Sequence, residues 1–130
     1  MSPLLLDTHV FLWLVADPGR VPTPARTALE VPGVPLLLTL ASVWELSLKT
    51  GLGKLRLPQP LPTFVRTRLE RTDTTLLDIT LAHVLAVADL PRHHGDPFDR
   101  LLVAQAREQG LTIVSGDPAL RAYDVPVLWD

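Results

Sequence analysis

The chain of 130 residues contains no cysteine and no asparagine. Without cysteine there can be no disulfide, no thiolate metal site and no cysteine nucleophile, and an intracellular setting is the simpler assumption. Any zinc site would have to rely on histidine and carboxylate. Long hydrophobic runs are also missing. The stretch at residues 34–38 falls far short of a membrane span, and the N-terminus has no basic signal-peptide region, so a soluble, cytoplasmic protein is expected. Lysine is scarce, two residues against ten arginines, and the formal net charge is -2 from 12 basic and 14 acidic side chains. A mildly acidic total speaks against a protein that coats nucleic acid by charge alone. The distribution is uneven, however. Lys49, Lys54, Arg56, Arg66, Arg68 and Arg71 share their segment with Glu70 as its one acid, which makes the segment locally cationic.

What is present is apolar: 47% of the residues are hydrophobic, enough to build one ordinary core, so a single domain over residues 1–130 is expected. Unbroken apolar runs at residues 3–6, 34–38, 76–79, 111–114 and 125–128 read as strands. Between them lie helical patterns. One covers Val10, Phe11, Leu12, Leu14 and Val15. A second runs from Thr23-Pro24, Thr23 as cap, towards Glu30. A third spans residues 42–49 with Val43, Leu46 and Leu48 inward, and a fourth residues 63–71. A fifth is capped by Thr80 and carries Leu81, Val84, Leu85 and Val87. A sixth is opened by Pro97 and stopped by Gly110, and a short helix covers residues 118–123. Continuous apolar strands alternating with helices predict a mainly parallel sheet covered on both faces, a three-layer α/β/α sandwich.

In such sheets ligands bind outside the carboxyl ends of the strands. Asp7 follows the first strand directly, and Asp117 follows the fourth through Ser115 and Gly116. Glu45 lies one turn into the helix after the second strand, among apolar neighbours that suggest a partly enclosed position, and Asp99 lies near the start of the helix opened by Pro97. Each acid alone reads equally well as a helix cap or a solvated residue. Four carboxylates converging on one rim would repel one another unless a cation neutralised them, which points to Mg²⁺ or Mn²⁺ and to metal-assisted hydrolysis of a phosphodiester.

The stretches LLLDTHVFLW (residues 4–13), SVWELSLKTGLGKL (42–55), DPFDRLLVAQA (96–106) and LTIVSGDPAL (111–120), in this order, resemble the PIN-domain family, and within it the VapC-like toxins of bacterial type II toxin–antitoxin modules. The resemblance covers essentially the whole chain. It implies that Asp7, Glu45 and Asp99 are the principal metal-site acids, with Asp117 the fourth, and that Ser115 stands where the family usually has threonine. It further implies a Mg²⁺- or Mn²⁺-dependent endoribonuclease that leaves 5′-phosphate and 3′-hydroxyl ends, a homodimer, and a cognate antitoxin whose tail enters the acidic site. Thr8, Ser115 and Arg100 are candidate contacts to RNA phosphate. Lys49 is placed to pair with Glu45, and Asp96 to cap the helix opened by Pro97. His9, His93 and His94 read more readily as structure than as ligands. Two other enzyme classes fit poorly: a haloacid-dehalogenase-like phosphatase needs an acid where His9 stands, and a receiver-like domain needs a lysine that residues 115–121 lack. The remaining alternatives are a catalytically silent PIN-like protein that binds RNA or a partner, and an RNA-processing nuclease without an antitoxin.

Overall fold

A computed structural model describes residues 2–130. Strand β1 (Leu4–Leu6) is buried on both faces, and its side chains alternate between two separate cores. Leu4 and Leu6 join Val10, Phe11, Leu38, Leu46 and Phe64, whereas Leu5 joins Leu102, Val103, Ile113 and Leu120. This is the period-2 alternation of a strand with helices on either side. The other strands are β2 (Leu36–Thr39), β3 (Thr74–Leu77), β4 (Thr112–Val114) and β5 (Val127–Leu128). They form a five-stranded sheet in the order β3-β2-β1-β4-β5, and every pairing is parallel. Leu5 lies opposite Leu37 on one side and Ile113 on the other, which fixes the register at the centre.

Helices α1 (Thr8–Ala16), α2 (Thr23–Leu29), α3 (Leu40–Gly51) and α4 (Leu61–Arg71) contribute to the first core, and α5 (Leu81–Val87) and α6 (Pro97–Gln109) to the second. The three-layer α/β/α sandwich is therefore present. The strand order reverses direction between β1 and β4, which makes the crevice beyond their carboxyl ends the switch point of the fold.

Several local boundaries differ from the sequence reading. Thr23 is the first residue of α2 and not its cap, because Pro22 occupies the cap position without a side-chain hydrogen bond. Strand β2 begins at Leu36 and β3 at Thr74, each shifted by two residues, and β5 begins at Val127. Residues 118–122 form a 3-10 turn.

Thr80 caps α5 as expected, with Leu81, Val84 and Leu85 exposed and His83 buried. His83 completes a capping box with Thr80: its backbone N–H donates to Thr80 Oγ1, and its Nδ1 accepts from Thr80 N. That same Nδ1 lies 3.2 Å from Gln105 Nε2 on α6. This contact with α6 holds His83 inward and leaves the leucine face outward. Leu48 of α3 is likewise exposed.

Helix α6 is well terminated. Asp96 Oδ1 accepts from the N–H groups of Phe98 (2.9 Å) and Asp99 (3.2 Å), and Gly110 ends the helix at φ 66°, a left-handed conformation that glycine adopts without strain. No helix among the described residues is long and apolar enough to cross a membrane.

Candidate active site

Two short connections bring acids to the switch point. Asp7 follows β1 directly and caps α1, its Oδ1 accepting from Thr8 N at 2.8 Å. Asp117 follows β4 after Ser115 and Gly116 and caps the 3-10 turn, its Oδ1 accepting from Ala119 N at 3.0 Å. Ser115, 1% exposed, ties the two together: its hydroxyl donates to Asp7 Oδ2 at 2.6 Å and accepts from Asp117 N at 3.0 Å.

Glu45 comes from the second turn of α3. Its Oε1 accepts from Thr8 Oγ1 at 2.7 Å and its Oε2 from Lys49 Nζ at 2.7 Å, one turn further along the helix. Lys49 is shifted above its ordinary pKa, chiefly by this hydrogen bond. Thr8 Oγ1 also lies 2.8 Å from Ser42 Oγ, but a hydroxyl has one proton, and here it goes to the carboxylate. Glu45 shares its cavity with Leu12, Leu46 and Leu55 as well as these polar neighbours, while Trp44 and Leu48 on its helix are exposed.

Asp99 lies in the first turn of α6. Its pKa is raised from 3.8 to about 7, first by burial and then by the charges of Asp7, Asp96, Asp117 and Glu45. Acids at the ends of different elements thus share one electrostatic environment. A cavity of about 240 Å³ holds them, with Asp7, Glu45, Asp96, Asp99 and Asp117 on its walls beside Thr8, His9 and Lys49. Asp96 is therefore both the cap foreseen from sequence and a fifth carboxylate at the site.

The donor set is carboxylate oxygen, the chemistry that Mg²⁺ and Mn²⁺ prefer, and the raised pKa of Asp99 registers a local excess of negative charge that a dication relieves. Among the described residues no group of three or more acids and histidines is arranged to hold a metal ion. The residues fit such an ion by donor type and charge, with Thr8 and Ser115 holding the carboxylates of Glu45 and Asp7 in place and Lys49 paired with Glu45.

Of the three candidate phosphate contacts, Thr8 and Ser115 lie at the site and Arg100 does not. Thr8 and Ser115 spend their hydroxyl protons on Glu45 and Asp7. Arg100 does not line the cavity. Its guanidinium donates to the carbonyls of Pro91 (2.9 Å), Val87 (3.1 Å) and Leu90 (3.3 Å) and reaches Tyr123 Oη at 3.4 Å, so it clamps the chain after α5.

His93 packs edge-on against Tyr123. His94 is closer to the chemistry than sequence indicated. Its Nδ1 accepts from Asp96 N at 3.1 Å, so the neutral ring carries its proton on Nε2, which faces Asp99 Oδ2 at 3.8 Å. Its two-residue spacing from Asp96 was the available signal. His9 has the opposite tautomer: Nε2 accepts from Gly116 N at 3.1 Å, and Nδ1 faces Asp7 Oδ2 at 3.4 Å.

The chain is 32% identical to ribonuclease VapC22 of Mycobacterium tuberculosis over 126 residues, covering 97% of this chain and 95% of that protein. A shorter match, 40% identical over 48 residues, covers 37% of this chain and 34% of ribonuclease VapC16 of the same organism. Its fold is similar to VapBC2 from Rickettsia felis bound to a promoter DNA fragment (TM-score 0.72, 14% identity, 98% of each chain) and to DNA-bound VapBC from Salmonella typhimurium (TM-score 0.72, 18% identity, 98% of each chain). The family model described as PIN domain matches residues 4–126, and the chain belongs to the PIN domain family.

Proposed function

We propose that this chain is a Mg²⁺- or Mn²⁺-dependent endoribonuclease, the toxin of a type II toxin–antitoxin pair. The observation that carries the reading is the single cavity that joins Asp7, Glu45, Asp99 and Asp117, with the Asp99 carboxyl held near pKa 7 by burial and by the other acids. Similarity to ribonuclease VapC22 over nearly the whole chain supports RNA as substrate, and fold similarity to the VapBC proteins is consistent with an antitoxin partner.

Asp7, Glu45, Asp99 and Asp117 would hold the cation. When bound, it supplies positive charge that favours ionisation of the attacking water and offsets charge developing on the phosphodiester. The chain's own residues do the positioning. Thr8 N and Ser115 Oγ fix the two oxygens of Asp7, and Thr8 Oγ1 fixes one oxygen of Glu45, whose other oxygen is paired with Lys49. Asp99 shares a proton with solvent near neutrality and becomes a full carboxylate when positive charge enters the cavity. In this reading the attacking group is water and not a side chain.

RNA needs cations beside this acidic cavity. Leu55 lines it, which places the loop carrying the exposed Lys54 and Arg56 at its border. The exposed leucine face of α5 and an apolar groove between α3 and α4, lined in part by Trp44, Val65 and Leu69, offer contact area for a second copy in a homodimer and for an antitoxin. A cytoplasmic setting belongs to the same reading.

The test is cleavage of candidate RNAs with Mg²⁺ or Mn²⁺ by wild type, Asp7→Asn and Asp99→Asn. Loss of cleavage in both variants is expected. Variants that cut as fast as wild type would overturn the metal-site reading.

A further inference from the structure

A second recess adjoins the carboxylate cavity, and of the hydrolytic machinery only Asp117 borders it. Its volume is about 490 Å³, and its lining is His9, Trp13, Arg20, Gly116, Asp117 and Trp129. Two of these residues, His9 and Asp117, also line the carboxylate cavity, so the two spaces lie side by side.

The recess is built from flat conjugated groups. The rings of His9 and Trp13 are 4.8 Å apart, those of His9 and Trp129 6.0 Å, and those of Trp13 and Trp129 6.1 Å. The exposed Arg20 lays its guanidinium over Trp13 at 4.1 Å from the ring centre. Trp129 is drawn to this rim because Gly116 lacks a side chain: a Cβ there would lie 2.7 Å from the indole.

Both tryptophans rest partly on the first core, so packing explains some of their burial. Packing does not explain why both also border open space beside the acids. No aliphatic side chain lines the recess, which makes it a poor receptacle for an apolar peptide residue. Arg20 already occupies the cation position over Trp13 and would repel an incoming arginine. Aromatic faces and a guanidinium plane are what an unpaired base stacks on, and Arg20 is the one cation available here to a phosphate.

We propose that the recess formed by Trp13, Trp129, His9 and Arg20 is a stacking subsite for the unpaired RNA nucleobase next to the phosphodiester that is cut. The inference rests on the ribonuclease reading and adds to it a place for the base. It makes the substrate a single-stranded segment, because a paired and stacked base has no face to offer.

The experiment separates the two readings. Trp44→Phe leaves Trp13 and Trp129 as the fluorophores, and this protein is titrated with a short random-sequence single-stranded RNA in the presence of a chelator. Quenching is expected. Trp129→Ala in the Trp44→Phe background should weaken RNA binding about tenfold, with Trp129→Phe retaining most of the affinity. In cleavage assays Trp129→Ala should raise KM with little change in kcat. Removing the base beside the mapped cut should lower wild type to the level of Trp129→Ala and leave that variant unchanged. Arg20→Ala, at an exposed residue, carries the same prediction should Trp129→Ala fail to fold. Wild-type RNA affinity in both Trp129→Ala and Arg20→Ala, with Asp7→Asn still inactive, overturns the subsite and leaves the ribonuclease standing. Weakened binding in these variants with no cleavage of any RNA by wild type sinks the ribonuclease reading instead.

Discussion

Ser115 Oγ donates to Asp7 Oδ2 over 2.6 Å, across 108 positions of sequence, and so locks the ends of β1 and β4 together at the point where acids from four elements meet. A short bond from a neutral hydroxyl to a buried carboxylate is among the stronger hydrogen bonds a protein makes. It also spends the hydroxyl that sequence alone offers to substrate.

Ser115→Ala should therefore act through Asp7. Leaving a buried carboxylate oxygen without its donor costs about 1–3 kcal/mol of stability, read by urea denaturation. Loss of a partner that orients a ligand should lower cleavage about 10- to 100-fold. Ser115→Thr keeps the hydroxyl and should recover most of both. Unchanged stability and rate in Ser115→Ala would show the bond to be incidental.

Stability of the cation-free protein should decline as pH rises from about 4 to about 7. An acid whose folded pKa is raised, as that of Asp99 is from 3.8 to about 7, binds more protons folded than unfolded across that window. Its stabilising contribution is greatest at acid pH and is lost as the carboxyl ionises. Thermal melts of Asp99→Asn should show a flatter dependence across the window, and Mg²⁺ should raise the Tm of wild type at pH 7.5 more than that of the variant. Equal slopes for the two proteins would contradict the shared electrostatic environment.

Lys49 and an incoming dication compete for Glu45, because Nζ lies 2.7 Å from Oε2. Lys49→Met should tighten Mn²⁺ binding several-fold, measured by isothermal titration calorimetry. Weaker Mn²⁺ binding in the variant would mean that Lys49 supports the cation site.

Arg100→Ala should lower stability and leave the KM for RNA near wild type. Hydrogen bonds to a charged group contribute about 1.5–3 kcal/mol net, and Arg100 spreads its donors over three carbonyls and Tyr123. Arg100→Lys cannot reproduce that fork and should remain destabilised. A raised KM without loss of stability would return Arg100 to substrate contact.

The sequence by itself determined the layers and the acids. Apolar runs too continuous for a half-solvated strand, broken by helical periodicity, specify a parallel sheet covered on both faces, and Asp7, Glu45, Asp99 and Asp117 then fall where strands end or helices begin. Helix caps at Thr80, Asp96 and Gly110 were legible because capping depends on neighbouring residues alone. Tertiary structure decided the rest. The rotation of α5 depends on His83 meeting Gln105 across two helices, so its local apolar pattern does not decide which face turns to the core. Thr8, Ser115 and Arg100 are polar groups whose partners lie 37, 108 and up to 23 positions away, and a hydroxyl or guanidinium serves whichever acceptor the fold delivers. Trp13 and Trp129 meet only because β1 and β5 flank β4 in one sheet, a proximity that spacing along the chain does not encode.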